Sequence, residues 1–489
     1  GGEDRFSVGD SSTNQNFHAA HVTGTVIASG LELAAKGMAP KASAVGYDWN
    51  NDEAEVTAAA ANGMLISNHS YGFAVRDEDN QPLLPAYYFG GYTNESRIWD
   101  DIAHNAPYYL MVVAAGNEGN DDTVNPDPLN EESTFDKLTG HSTSKNNLVI
   151  ANGNDATINT DGSLISVTVN TSSSEGPTDD FRVKPDLMGN GTGLYSTYDT
   201  SDSAYNSITG TSMASPNVAG SLLLLQQHYN ETYGNFMRAS TLKGLALHTA
   251  DDVAAEGPDA ASGWGLMNSK KAAETVIKKD FQSIISEIEL MNESTYTVVV
   301  KSDGIGPLLA SISWTDLPGV ANTGVVNDPT PVLVQDIDIK VTNSSGGVIT
   351  TFLPWKLTSV NTNEKGDNIV DPYERVDIEN ASGEYTITIS HKGTLQGGAQ
   401  KVSLIVTGVS SGIALLTSQS NQTACDNTAI FDFNYVETIG GTTVFSVTGL
   451  PANANVNLSD SSMSSDGNFT ATFGNLDNVV PGLYTINVT

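Results

Sequence analysis

Three short motifs in the first half of the chain hold residue types able to do chemistry, and they run in the order His, Asn, Ser. The last of them, Gly210-Thr211-Ser212-Met213-Ala214-Ser215-Pro216, places a hydroxyl just ahead of the apolar run 218–229. A serine nucleophile must be exposed, fixed and close to partial positive charge. At the start of a helix the free backbone N–H groups and the helix dipole favour a developing oxyanion. Pro216 falls early in that helix, where proline is least disruptive. The plain alternative for Ser212 is a helix cap in a Gly/Ser loop, since serine is a preferred cap.

The first motif is His18-Ala19-Ala20-His21-Val22-Thr23-Gly24-Thr25, which follows the candidate cap Asn16 and opens a predicted helix over 17–30. An imidazole there has the proton affinity a general base needs, provided its orientation is fixed. Two histidines at i, i+3 are also a possible metal pair. Zinc requires a third ligand, however, and no HExxH or matching acid follows. The middle motif, Val112-Val113-Ala114-Ala115-Gly116-Asn117-Glu118-Gly119, is an apolar run that ends in Gly-Asn. Ligand sites in open α/β sheets lie just outside the carboxyl ends of strands, where an Asn amide can donate to an oxyanion. An Asn-Glu-Gly turn would give the same letters without chemistry.

Side chains so far apart in sequence need a scaffold that converges them. Apolar runs at 44–49, 64–68, 109–115 and 148–151 alternate with helical patterns at 53–62 and 95–105. Short apolar runs separated by helices predict an α/β domain with a parallel sheet and helices on both faces. After Lys279 the helical period disappears, and short alternating or β-branched runs are separated by Gly, Asn, Ser and Pro clusters. The expected organisation is therefore an α/β domain over 1–280, a jelly-roll or β-barrel over 281–410 and an Ig-like or fibronectin-like sandwich over 411–489.

Composition narrows the functional classes. The 489 residues include 22 Lys plus Arg and 57 Asp plus Glu, a net charge of −35. Such a chain does not recruit a phosphate backbone, so no nucleic acid partner is expected. The longest apolar stretch, around 222–225, is far short of the roughly 18 residues of a membrane span. The one cysteine, Cys425, excludes an internal disulfide but not secretion. The chain begins at Gly1 without Met, which reads as a processed product or a fragment.

Together and in this order, the three motifs resemble the subtilisin-like serine proteases, the subtilases. The segment from Ser173-Ser174-Glu175-Gly176-Pro177 to Lys184-Pro185-Asp186-Leu187 is similar to the stretch that precedes the family's serine. Gly263-Trp264-Gly265-Leu266 is similar to the element after its serine helix, and Asn68-His69-Ser70-Tyr71-Gly72 to the strand that pairs with extended substrate. The resemblance implies that Ser212 is the nucleophile, His18 the general base, His21 a non-catalytic histidine and Asn117 the oxyanion-hole donor. It implies Ser70, Tyr71 and Gly72 as one wall of the substrate pocket, with Ala114, Ala115 and Gly116 as the other. The activity implied is that of a secreted, monomeric endopeptidase acting on protein or peptide substrates through an acyl-enzyme.

Two departures matter. Ala19-Ala20 replace the family's Gly-Thr between the two histidines, which leaves the imidazole position intact. The aspartate that orients the histidine, carried by the family in an Asp-Ser/Thr-Gly context on a preceding strand, has no counterpart. Asp4 and Asp10 sit in polar flanks with no apolar strand before them. The aspartate and its strand are therefore expected upstream of Gly1, and the chain alone is expected to be nearly inactive. A non-catalytic binding or adhesion protein on an inactive subtilase scaffold is the alternative. An α/β-hydrolase esterase fails on order, because that fold runs Ser, acid, His around Gly-x-Ser-x-Gly.

Residues 281–410 resemble the C-terminal β-barrel of certain alkaline subtilases, which is related in shape to the P domain of proprotein convertases. The matching stretches are Ala310-Ser311-Ile312-Ser313-Trp314-Thr315-Asp316, Gln335-Asp336-Ile337-Asp338-Ile339 and Gly383-Glu384-Tyr385-Thr386-Ile387. That resemblance implies structural calcium, with Asp336, Asp338, Asp371 and Glu374 as candidate ligands. In so acidic a chain the same residues could equally form a solvated face. The tail resembles the Ig-like modules of secreted bacterial proteins.

Overall fold

A computed structural model describes residues 5–13, 15–279, 282–410, 413–415, 427–435, 442–465, 467–482, 484 and 486–488. Asp4, Cys425 and the junction at 411–412 lie outside the described residues. The first part holds, in order, β1 (Phe6–Val8), α1 (Phe17–Ile27), β2 (Ala44–Gly46), α2 (Asp52–Ala61), β3 (Ile66–His69), α3 (Asn94–Asn105), β4 (Leu110–Ala114) and β5 (Leu148–Gly153). It continues with β6 (Thr157–Ile158), β7 (Leu164–Ser166), β8 (Leu187–Asn190), β9 (Leu194–Thr197), β10 (Tyr205–Ile208), α4 (Thr211–Tyr233), α5 (Ala239–Thr249) and α6 (Ser269–Ile277).

Strands β3, β4, β5 and β8 form a four-stranded parallel sheet in that order. One face carries Val112, Leu148, Ile150 and Leu187 against Ala214, Val218, Leu222 and Leu225 of α4. The other carries Met111, Val113 and Val149 against Val56 of α2 and Trp99 of α3. Every residue of β4 and β5 is buried, so both faces must be apolar, and this is why 109–115 reads as one unbroken run. Burying each such side chain is worth about 1.5–3 kcal/mol. That exceeds any local propensity and fixes the sheet. Strand β1 pairs in parallel with β2 as a separate two-stranded ribbon. The sequence pattern misses β1 because Phe6 and Val8 remain exposed, so the segment carries no core signature.

The second part comprises β11 (Ser283–Met291), β12 (Tyr296–Lys301), β13 (Leu308–Ser313), β14 (Ile337–Ser345), β15 (Val348–Phe352), β16 (Trp355–Ser359), β17 (Thr362–Lys365), β18 (Tyr373–Ile378), β19 (Glu384–His391) and β20 (Ala399–Thr407). Two antiparallel sheets, β11-β20-β13-β18 and β12-β19-β14-β15, enclose a core that includes Ile312, Val376, Leu404, Ile339, Ile387 and Ile389. The outer face of the first sheet is buried too, because α5 lies on it. His248 bridges Ser311 Oγ (2.8 Å) and Thr407 Oγ1 (2.9 Å), and Ser240 meets Ser403 Oγ at 2.9 Å. Ile285, Ile405, Trp355 and Tyr373 belong to the same apolar cluster as the α4 face. The two parts therefore share one core.

In the tail, Ile413–Leu415, Ala429–Tyr435, Gly467–Gly474 and Asn455–Leu458 form a third antiparallel sheet in that order. Its core is built on Phe433, Phe445, Phe469 and Phe473. Among the described residues no helix is long and apolar enough to cross a membrane.

Candidate active site

Ser212 is the second residue of α4, directly after Gly210-Thr211. Its N–H belongs to the first helical turn, where donors have no intrahelical acceptor. Pro216 lies within the helix and cannot donate to the Ser212 carbonyl one turn back; an interior proline costs about 3 kcal/mol. Here the freed carbonyl is taken up by Ser70, whose Oγ donates to Ser212 O at 2.8 Å. In return Ser212 Oγ, half-buried, donates to Ser70 O at 3.3 Å. The proline thus leaves an acceptor that fastens the Ser212 backbone to the end of β3.

Asn117 is held from the same helix start. Its Oδ1 accepts from Thr211 N at 3.0 Å and from Thr211 Oγ1 at 3.1 Å. A backbone N–H can only donate, so this contact fixes which end of the amide is oxygen. The Nδ2 group is left exposed, with no hydrogen-bond partner among the described residues. Gly116, just before it, has φ +119°, and a Cβ there would lie 2.6 Å from both Glu118 Oε2 and Ser174 Oγ. Only glycine fits the turn that brings Asn117 out of β4.

His18 lies in the first turn of α1, capped by Asn16, whose Oδ1 accepts from His18 N at 2.8 Å. The imidazole is half-buried and has no hydrogen-bond partner among the described residues, Ser212 included. Catalytic hydrogen bonds often tighten only when substrate is bound. Burial, and then the neighbouring His21, hold the His18 pKa below its usual value. No described carboxylate pairs with it. Asp10 is turned to the backbone instead, accepting from Ser12 N at 2.8 Å and Asp48 N at 2.6 Å. His21 is fully buried, and its Nε2 faces Leu194 O (2.9 Å) and Asn206 O (3.2 Å). Two carbonyls require a proton on that nitrogen. His21 therefore pins α1 to the β9–β10 hairpin.

A slot of about 110 Å³ opens beside Ser212 and Asn117, lined by Tyr71, Gly72, Ala114, Ala115 and Gly116. It is small beside the roughly 300–1,000 Å³ of a typical ligand pocket, and fits one side chain. Ser70 stands behind the wall rather than in it, occupied with Ser212. Phe73, Lys137 and Thr139, which carry no motif signal, also line the slot. The Lys137 ammonium is spent internally, donating to Gly119 O at 2.8 Å and Asp122 Oδ1 at 3.2 Å, with Glu175 at 3.6 Å. Burial raises the Glu175 carboxyl to about 7, with Lys137 opposing.

Tyr71 is locked from behind. Its hydroxyl donates to Asp52 Oδ2 at 2.7 Å and meets His69 Nδ1 at 2.6 Å, while His69 Nε2 meets Ser67 Oγ at 2.7 Å. Burial, then His141, push His69 down to about 3. It is neutral, with Nδ1–H donating to the phenol oxygen. Tyr71 therefore lines the slot with its hydroxyl already held by Asp52 and His69.

The proposed calcium ligands do not converge. Lys392 Nζ lies among Asp336 (3.3 Å), Asp338 (2.7 Å) and Asp367 (2.5 Å), filling the position of a cation. Glu374 is buried and accepts from Ile339 N at 2.8 Å; Asp371 accepts from Val183 N at 2.9 Å and Asn368 Nδ2 at 3.0 Å. Among the described residues no group of three or more His, Cys, Asp or Glu is set to hold a metal. These residues do not fit calcium as one site.

Parts of the chain are similar to known proteins. C5a peptidase of Streptococcus pyogenes is 33% identical over 146 residues, which are 27% of this chain and 12% of that protein. Subtilisin DY of Bacillus licheniformis is 25% identical over 279 residues, 55% of this chain and 82% of that protein. Among solved structures, the self-cleaved protease domain of PatA is 17% identical, with a TM-score of 0.40 over 56% of this chain and 89% of that one. The sequence model of the subtilase family matches residues 4–265, more than half the chain, and the chain belongs to that family.

Proposed function

We propose that this protein is a secreted, monomeric serine endopeptidase that cleaves protein or peptide substrates through an acyl-enzyme on Ser212. His18 takes the Ser212 proton and returns it to the leaving amine, and Asn117 Nδ2 with the Ser212 N–H holds the oxyanion. The observation that carries this reading is the Thr211 clamp on Asn117 Oδ1, which leaves the amide N–H₂ as the free group beside the nucleophile. The slot lined by Tyr71, Gly72 and Ala114 to Gly116 accepts one uncharged side chain, since its lysine is already paired.

We infer further that the orienting aspartate arrives on a strand preceding Gly1. Two features support this. His18 has no carboxylate partner among the described residues. Strands β2 and β3 each have one described strand neighbour, so each keeps an open edge. The same lack of a carboxylate favours a second reading, an inactive subtilase scaffold whose β domains carry a binding function. In subtilisin itself, loss of the aspartate alone is known to cost about 3 × 10⁴ in kcat. The test is peptide hydrolysis by the 489-residue chain with and without its encoded upstream segment. Gain of several orders of magnitude, abolished by Ser212→Ala, supports the enzyme. Equal activity in both forms would remove the upstream aspartate, and none in either would favour the scaffold.

A further inference from the structure

Asp52 is the first residue of α2, and its two oxygens have different tasks. Oδ1 accepts from Glu53 N at 2.8 Å, as an acid at a helix start does. Oδ2 takes the Tyr71 hydroxyl at 2.7 Å, across 19 residues of sequence. That commitment sets the direction of every bond behind it. The phenol proton goes to Asp52, so the 2.6 Å contact with His69 Nδ1 requires a proton on that nitrogen. Nε2 of the neutral ring is then an acceptor, and Ser67 donates to it at 2.7 Å. With its own proton spent, Ser67 Oγ accepts from the Tyr109 hydroxyl at 2.6 Å. All these protons point one way, from Tyr109 just ahead of β4 to the carboxylate on α2.

The chain is dry, with His69 and Tyr109 both buried. In such a place a donor without an acceptor is costly, and a carboxylate is a stronger acceptor than a neutral oxygen. Tyr71 is held at both ends. Its carbonyl accepts from the buried His141 Nε2 at 2.9 Å, and its hydroxyl is held by Asp52. Its ring is bracketed by those of Trp49, His69 and His141, at centroid distances of 6.5, 5.4 and 5.6 Å. Between these anchors Tyr71 forms a wall of the 110 Å³ slot beside Ser212. A wall that had only to be apolar needs no hydroxyl; this one has a hydroxyl tied to an acid on another element.

We propose that Asp52 is a positioning residue for the substrate slot: by holding the Tyr71 hydroxyl, it fixes the wall that selects an apolar side chain next to the cleaved bond. The inference rests on the reading of that slot as the substrate's. Asp52 does not line the slot and acts only through Tyr71. In so small a space the position of one wall decides which side chain fits, since a single methylene in an apolar pocket is worth about 10–200-fold in discrimination. The plain alternative is that Asp52 serves only the start of α2. Replacing it would then change stability and leave selectivity alone.

The test reads selectivity without requiring turnover. Product-like peptides ending in leucine or in alanine are titrated into the full-length protein by calorimetry, and hydrolysis of the matching substrates is followed in parallel. The wild type binds the leucine peptide more tightly. In Asp52→Ala that preference shrinks about ten-fold, and the loss in hydrolysis falls on KM rather than kcat. Asp52→Asn keeps most of the preference, because its amide oxygen still accepts from the phenol. Tyr71→Phe removes the same bond, so adding Asp52→Ala to it costs little more; it also carries the test should Asp52→Ala fail to fold. A preference left intact in Asp52→Ala, with only the melting temperature lowered, would overturn the proposal. So would an Asp52→Asn as damaging as Asp52→Ala, which would assign the effect to charge rather than position. Graded binding without hydrolysis would uphold the proposal and remove the peptidase reading. Hydrolysis with one preference in every variant would do the reverse, and a wild type that binds neither peptide would overturn both.

Discussion

Thr211 holds Asn117 by its oxygen twice, through N–H at 3.0 Å and Oγ1 at 3.1 Å, and so leaves the N–H₂ as the free end of the amide. In the active form, Asn117→Ala should lower kcat by about 10²–10³ with KM little changed, because the oxyanion forms only in the transition state. Thr211→Val removes the hydroxyl but keeps the N–H. It should lower kcat by about ten- to a hundred-fold through misplacement alone. A change confined to KM would mean that Asn117 binds ground-state substrate instead.

Ser70 and Pro216 should be energetically coupled. Ser70→Ala leaves the Ser212 carbonyl without its 2.8 Å donor, a loss of about 1–3 kcal/mol. Pro216→Ala restores an N–H one turn below that carbonyl, so it should recover part of the loss in the Ser70→Ala background. Denaturant unfolding of the four proteins measures the coupling. Strict additivity would show that Ser70 does not substitute for the proline's missing bond.

Lys145 joins the two large parts of the molecule. Its buried ammonium reaches Asp316 Oδ2 (2.5 Å), Leu317 O (2.6 Å) and Val332 O (2.9 Å) across the domain boundary. Lys145→Met should destabilise the protein by about 3–5 kcal/mol, because Asp316 is then buried without its counter-charge. Adding Asp316→Leu should recover much of that. A loss below about 1 kcal/mol, typical of an exposed pair, would mean that the contact is wet in solution.

The charge on His18 should report the arrival of its acid. Burial and His21 depress its pKa from 6.5, so proton NMR should show it titrating below that value in the chain alone. The unfolded state then takes the proton first. The stability linked to His18 is present above the ordinary value and is lost as pH falls. A docked carboxylate favours the imidazolium and should move the titration upward. An unchanged titration on adding the upstream segment would show that no acid reaches it.

Much of the site was legible because its signals are local. A serine ahead of an apolar helix, a Gly-Asn after a buried strand and a histidine after an Asn cap are each visible within about eight residues of sequence. The fully buried β4 and β5 were readable for the same reason. What was hidden depends on partners distant in sequence. Lys137 lines the slot only because Gly119 and Asp122 turn its charge aside. The Asp52–Tyr71–His69–Ser67 chain spans α2 and β3, and no spacing rule connects them. The acidic residues of β14 looked like metal ligands until Lys392, 54 residues from Asp338, appeared between them.

The central claim is that Ser212 is the nucleophile. The direct measurement is fluorophosphonate labelling of the full-length protein, with the modified peptide identified by mass spectrometry. The label should fall on the peptide containing Ser212 and vanish in Ser212→Ala, with the circular dichroism spectrum unchanged. Label retained in that variant, or found on another residue, would contradict the account.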